Sequence, residues 1–167
     1  KENPKALRRL KTACERAKRS LSSGLTASIE IDCLFNTVDY NYVLTRAKFE
    51  ELTNDIFRKC INIVDETLKT YKVSKESIDE IVLVGGSSKI PKVQSLLSEF
   101  FNGKVLNNSI NPDEAVSVGA SIQGAILSGT KGSLNDLIVL DVTPLSIGVA
   151  EGPEHRMHVM IGRGKTI

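Results

Sequence analysis

IVLVGGSSKIPK, Ile81 to Lys92, is the stretch from which the rest of the chain can be read. Four apolar residues run into a glycine pair, two serines and a lysine, and a proline then opens a helix-like segment. A short apolar run bounded by turn residues predicts a fully buried strand. Beyond the turn, Val93, Leu96, Leu97 and Phe100 recur at helical spacing, with a stop at Gly103. Strand, glycine turn and helix form the crossover signature of an α/β fold. Open α/β sheets take ligands at such turns, because backbone approaches closely there and helix-end N–H groups point outward. A glycine pair is also ordinary turn chemistry, so the loop alone leaves a ligand-free turn open. Two phosphate motifs are excluded: Lys89 follows the serines instead of preceding them as in a Walker loop, and GxGxxG is missing.

The opening segment sharpens the choice. Leu7, Leu10, Cys14, Ala17 and Leu21 share one face of a helix that ends near Ser23 and Gly24. Glu15, Lys18, Arg19 and Ser22 fall at i, i+3, i+4 and i+7, within about 100° of arc, beside that apolar face. An acceptor, two cations and a hydroxyl on one stripe can line a groove, hydrogen-bond the hydroxyls of a sugar and flank an aromatic base. Taken alone, the stripe better suits a solvated basic face steadied by Glu15–Arg19 pairing.

The remaining elements follow from periodicity. ASIEIDC puts Ala27, Ile29, Ile31 and Cys33 on one side, and VDYNYVL does the same with Val38, Tyr40, Tyr42 and Leu44, predicting a hairpin turning at Asn36-Thr37. A long helix capped by Thr45 follows, its core stripe expected at Phe49, Leu52, Ile56, Cys60, Ile63, Thr67, Leu68 and Tyr71. In NPDE, Asn111 suits a cap and Pro112 the first helical position, and the small-residue helix beyond ends at Ser128-Gly129. TKGSLN reads as a linker, with a domain boundary near residue 130, and DLIVLDVTPLSIGVA and HVMIGRGKTI read as strands.

Composition removes other classes. The chain has 167 residues, 41% hydrophobic and 25% charged, as in ordinary soluble domains. No apolar run reaches membrane-spanning length, and no targeting segment opens the chain, which reads as a piece of something longer. Cys14, Cys33 and Cys60 fit reduced, partly buried thiols better than disulfides or a metal site. The net charge is only +2, aromatic residues are 5% and Trp is absent, which argues against nucleic acid. No serine has a histidine near it in sequence, so binding chemistry is expected without catalytic chemistry.

KENPKALRRLKTACERAKRSLSS, TRAKFEELTNDIF, IVLVGGSSKIPKVQSLLSEFFNGK, SINPDEAVSVGASIQGAILSG and DLIVLDVTPLSIGV together resemble the seventy-kilodalton heat-shock chaperone family, end to end and in order. The resemblance implies an α/β, actin-like ATPase fold of which only the second lobe is present (residues 1–129). An interdomain linker (130–141) and the first strands of a truncated substrate-binding β-sandwich (142–167) would follow. It also implies site roles. Glu15, Lys18, Arg19 and Ser22 match positions that hold the ribose and adenine of ATP or ADP. Gly85, Gly86 and Ser87 match the loop under the nucleotide, Ile90 an apolar contact, and Asp113 a supporting position near the base. At Lys89 the family usually has Arg, whose flat guanidinium stacks on adenine, so the grip on the base is expected to be weaker here.

The family's other phosphate loops, its catalytic lysine and its Mg²⁺ ligands are not found in this chain, which alone is expected not to hydrolyse ATP. Expected partners are nucleotide-exchange factors, clasping the hairpin at residues 26–44, and J-domain co-chaperones. Unfolded polypeptide is expected as a partner only in a full-length protein. The expected location is the cytoplasm. The alternative is a non-catalytic module that binds exchange factors or regulates the full-length chaperone.

Overall fold

The computed structural model describes residues 3–129, 137 and 139–166. The chain separates into two compact units, Lys1–Gly119 and Ala120–Ile167.

Helix α1 (Pro4–Ser20) begins where Asn3 accepts a hydrogen bond from the N–H of Ala6 at 3.1 Å and Pro4 supplies a preset first turn. Strands β1 (Thr26–Phe35) and β2 (Val38–Thr45) form an antiparallel hairpin. Its two-residue turn sets Asn36 at φ 49° and Thr37 at φ 61°, the left-handed pair that matches strand twist. Ala17 and Leu21 are buried against Ala27, Ile29 and Ile31, with Leu10, Ala13, Leu34, Leu44 and Phe49 packed around them.

The buried faces of α1, β1 and β2 differ from those expected. On α1, Leu7 and Cys14 are exposed, and the buried stripe runs through Leu10, Ala13, Ala17 and Leu21. In β1 the alternation fails after Ile31, where the register with β2 shifts. Cys33 sits at φ 45° and donates its N–H to Asp39 Oδ1 at 2.7 Å, so its thiol faces solvent. All three cysteines are free and exposed instead of partly buried. In β2 only Leu44 packs against the core, because α1 lies over β1 and leaves Val38, Tyr40 and Tyr42 uncovered.

Helix α2 (Arg46–Tyr71) is capped by Thr45, whose hydroxyl accepts from the N–H of Lys48 at 3.1 Å. Arg46 ties its start to α1, donating from Nε to the carbonyl of Leu21 at 2.8 Å. The covered face runs through Phe49, Thr53, Phe57, Ile61, Val64 and Leu68, with Phe57 buried and edge-on to Phe49. The expected stripe through Leu52, Ile56, Ile63 and Tyr71 is exposed. It is a second apolar line about a quarter-turn round the helix.

Strand β3 (Ile81–Val82) pairs in parallel with β4 (Leu106–Asn107), and between them comes α3 (Pro91–Phe100). The expectation of a fully buried strand fails: Leu83 is buried, but Val82 is 57% and Val84 51% exposed. Among the described residues this pair is covered on one face only, whereas a parallel sheet clothed on both faces would bury every residue of the run. Just beyond α3, Asn102 and Gly103 both sit at positive φ and turn the chain away from the helix.

Asn111 caps a turn, its carbonyl accepting from the N–H of Glu114 and its side chain from that of Asp113. Pro112 is buried within that turn, and helix α4 (Ala115–Leu127) starts three residues after it. Gly129, at φ 68°, closes the helix. In the second unit, β5 (Ile147–Glu151) and β6 (Arg156–Ile161) form an antiparallel pair, and buried Thr143 donates its hydroxyl to the carbonyl of Gly162 at 2.8 Å. The linker expected at 130–141 falls largely outside the described residues, which omit 130–136 and 138. No helix of the described residues is long and apolar enough to cross a membrane.

Candidate nucleoside-binding site

The glycine loop continues from β3 into a single 3₁₀ turn, Gly86–Lys89, and then into α3. Gly85 holds φ 87° and ψ 147°, a conformation essentially confined to glycine. Its N–H donates to the carbonyl of Pro112 at 2.8 Å, and its carbonyl accepts from the backbone and hydroxyl of Ser88. The loop is thereby fixed against the Asn111–Glu114 turn. Gln94, one turn into α3, donates from Nε2 to the carbonyl of Ser88 at 2.9 Å and steadies the far side.

Next to this anchor Gly86 lies so close to Asp113 that a Cβ added there would come 2.5 Å from Oδ1. The Asp113 carboxylate in turn forms an ion pair with the ammonium of Lys89. Ile90, buried at 7% exposure, closes the loop's apolar side.

Helix α1 supplies the facing wall. Both oxygens of Glu15 are engaged, Oε2 by Lys18 Nζ at 2.9 Å and Oε1 by Arg19 Nε at 3.1 Å. The hydrogen bond from Lys18 and then that from Arg19 hold the Glu15 carboxyl below its ordinary value of 4.5. It is a carboxylate at neutral pH, able to accept further hydrogen bonds from a ligand. Arg19 stays 78% exposed, its terminal guanidinium nitrogens unpartnered among the described residues.

Glu15, Lys18, Arg19 and Ser22 from α1 and its final turn, Gly86, Ser87, Lys89 and Ile90 from the loop, and Asp113 together line one cavity of about 420 Å³. Nine of the ten residues expected from sequence are thus brought together. Gly85, the tenth, is not in the lining and acts one step back by fixing the turn. Sequence reading missed Gln94 and the Pro112 carbonyl as supports. The NPDE signal drew attention to capping, and nothing in sequence marks a tertiary hydrogen bond from a single helical glutamine. The α1 wall can hydrogen-bond a polyhydroxylated group, and the loop can hold a flat, partly apolar group against Ile90. Among the described residues, no three His, Cys, Asp or Glu side chains gather to hold a metal ion.

Comparison with known proteins adds a second line of observation. The family model described as Hsp70 protein matches residues 1–167. The chain is 60% identical over 148 residues to heat shock cognate 70 kDa protein 3 of Dictyostelium discoideum, covering 88% of this chain and 24% of that protein. Against heat shock 70 kDa protein 2 of Paracoccidioides lutzii it is 54% identical over 167 residues, covering 99% and 25%. Against a ribosome-associated molecular chaperone of Saccharomyces cerevisiae it is 55% identical over 150 residues, covering 89% and 24%. The chain spans about a quarter of the length of these relatives.

Proposed function

The chain belongs to the Hsp70 family, and on that premise we propose that it supplies the adenosine side of an ATP/ADP site in an ATP-dependent protein-folding chaperone. The observation that carries this reading is the single cavity shared by the α1 stripe, the glycine loop and Asp113. Its volume of about 420 Å³ lies in the range of roughly 300–1,000 Å³ usual for small-molecule sites. The donor set suits a nucleoside: Glu15 accepts from ribose hydroxyls, Lys18 and Arg19 donate to them, and Ser22, Lys89 and Ile90 flank the base. The closeness of Gly86 to Asp113 leaves backbone, not a side chain, against the ligand.

In the same reading, residues 1–129 are the second lobe of an actin-like ATPase domain, 130–141 the interdomain linker and 142–167 the start of the substrate-binding β domain. The bound nucleotide would supply the phosphoryl chemistry with Mg²⁺, whereas this chain's residues bind and orient the nucleoside. Nucleotide-exchange factors, J-domain co-chaperones and unfolded polypeptide are partners of the whole chaperone, and its location is the cytoplasm.

Isothermal calorimetry with ADP tests the site. Weak binding is expected, lost in Glu15→Ala, which removes the acceptor, and in Gly86→Val, which drives a side chain into Asp113. Tight binding insensitive to both changes would overturn the assignment. A second reading, an interaction module for exchange factors, is favoured by the uncovered Val38, Tyr40, Tyr42 and Val43 on the hairpin. Capture of an exchange factor in nucleotide-free buffer by a chain that shows no ADP heat would select it.

A further inference from the structure

Away from the nucleoside cavity, α2 and α3 enclose an open trough of about 570 Å³. Each helix contributes a stripe with the same spacing, i, i+4, i+7 and i+8. From α2 these are Asn54, Arg58, Ile61 and Asn62, and from α3 they are Lys92, Leu96, Glu99 and Phe100. Eight residues of rise make each stripe about 12 Å long, a little over two helical turns. Ile61, Leu96 and Phe100 are half-buried and form the floor, while Arg58, Asn62 and Glu99 stand exposed at the rim.

The polar groups around this floor are unspent. Among the described residues, Arg58 and Lys92 have no carboxylate partner, a state they share with most lysines and arginines of the chain, and the side chains of Asn54, Asn62 and Glu99 make no hydrogen bond. Two cations against one carboxylate leave the trough net positive, with Lys92 in the first turn of α3 and Glu99 in its last. An apolar floor between two helical ridges is the shape into which a third helix packs, and uncompensated positive charge selects for acidic residues on it.

We propose that the α2–α3 trough is a docking site for an amphipathic helix of a partner protein, with aliphatic residues on Ile61, Leu96 and Phe100 and acidic residues against Arg58 and Lys92. This surface is separate from the nucleoside cavity, shares no residue with it and stands whatever that cavity binds.

The test uses the whole chain and a synthetic helix of about three turns carrying leucines at i and i+4 and two glutamates at one end. Binding is read from methyl chemical shifts of Ile61 and Leu96 and from fluorescence anisotropy. Saturable binding is expected, weakening with salt and falling about tenfold when Arg58→Glu and Lys92→Glu are combined. A partner peptide with lysines in place of its glutamates should then recover affinity for the reversed chain. Arg58 is exposed and Lys92 half-buried, and an unchanged melting temperature verifies the fold. No binding, binding indifferent to charge reversal, or loss of the methyl shifts in favour of self-association by sedimentation would each overturn the proposal, the last in favour of a second copy of this chain.

Discussion

A Cβ at Gly86 would stand 2.5 Å from Asp113 Oδ1, and that carboxylate already holds Lys89, so one residue's size and another's charge are set together. Lys89 keeps its ammonium on Asp113 and offers a ligand no planar surface. An arginine there could pair with Asp113 through its fork and still present a flat face to a base. Lys89→Arg is therefore expected to tighten ADP binding about threefold, the scale of an exposed cation–π contact, as measured by calorimetry; an unchanged or weaker affinity would contradict a base lying over Lys89. Glu15 gives a pH signature at the same scale. Its carboxyl is held down first by Lys18 and then by Arg19, so the pairing contributes above the ordinary value of 4.5 and is lost as pH falls through the lower folded value. Thermal melts of the parent chain and Glu15→Gln should differ slightly at neutral pH and low salt. They should converge on acidification below that point, and also in high salt at neutral pH. A gap that widens in acid would reverse the assigned sign.

At the scale of the element, α2 separates what sequence can specify from what only packing decides. Its cap at Thr45 and its length were legible, because a hydroxyl before a long apolar-periodic run carries its own local chemistry. Which apolar line faces inward was not legible, since Leu52, Ile56 and Ile63 form a stripe as regular as Phe49, Phe57, Ile61 and Val64. The choice came from neighbours distant in sequence: the hairpin core claims Phe49, and α3 claims the Ile61 side. The same limit explains Cys33, whose alternating position reads as buried until the register shift turns it outward. Phe57→Ala should then cost about 3 kcal/mol or more in denaturant unfolding, as for an aromatic lost from a core. Ile63→Ala, on a residue 62% exposed, should stay within about 0.5 kcal/mol of the parent. Equal costs for the two would mean that the stripe read from periodicity was the buried one after all.

Across the whole molecule, the site was the most legible feature because its parts are short local patterns: four polar residues on one helical stripe and a glycine loop after a strand. What could not be read was their meeting, which depends on the Gly85–Pro112 hydrogen bond and on the Asp113 turn, both long-range. The assembled lining also bears on chemistry. Its two carboxylates, Glu15 and Asp113, are each paired with a cation of the same site. Phosphoryl transfer needs groups that position an attacking water and offset charge on the γ-phosphate, and the role proposed for this lining is to contact the nucleoside. The purified chain is accordingly expected to bind ADP while releasing no phosphate from ATP above the buffer rate, with Mg²⁺ present, in a continuous phosphate-release assay. Turnover that survived Glu15→Ala would move the chemistry outside this cavity. Turnover abolished together with ADP binding by both Glu15→Ala and Gly86→Val would instead make the cavity a complete active site, and the nucleoside-only reading would fall.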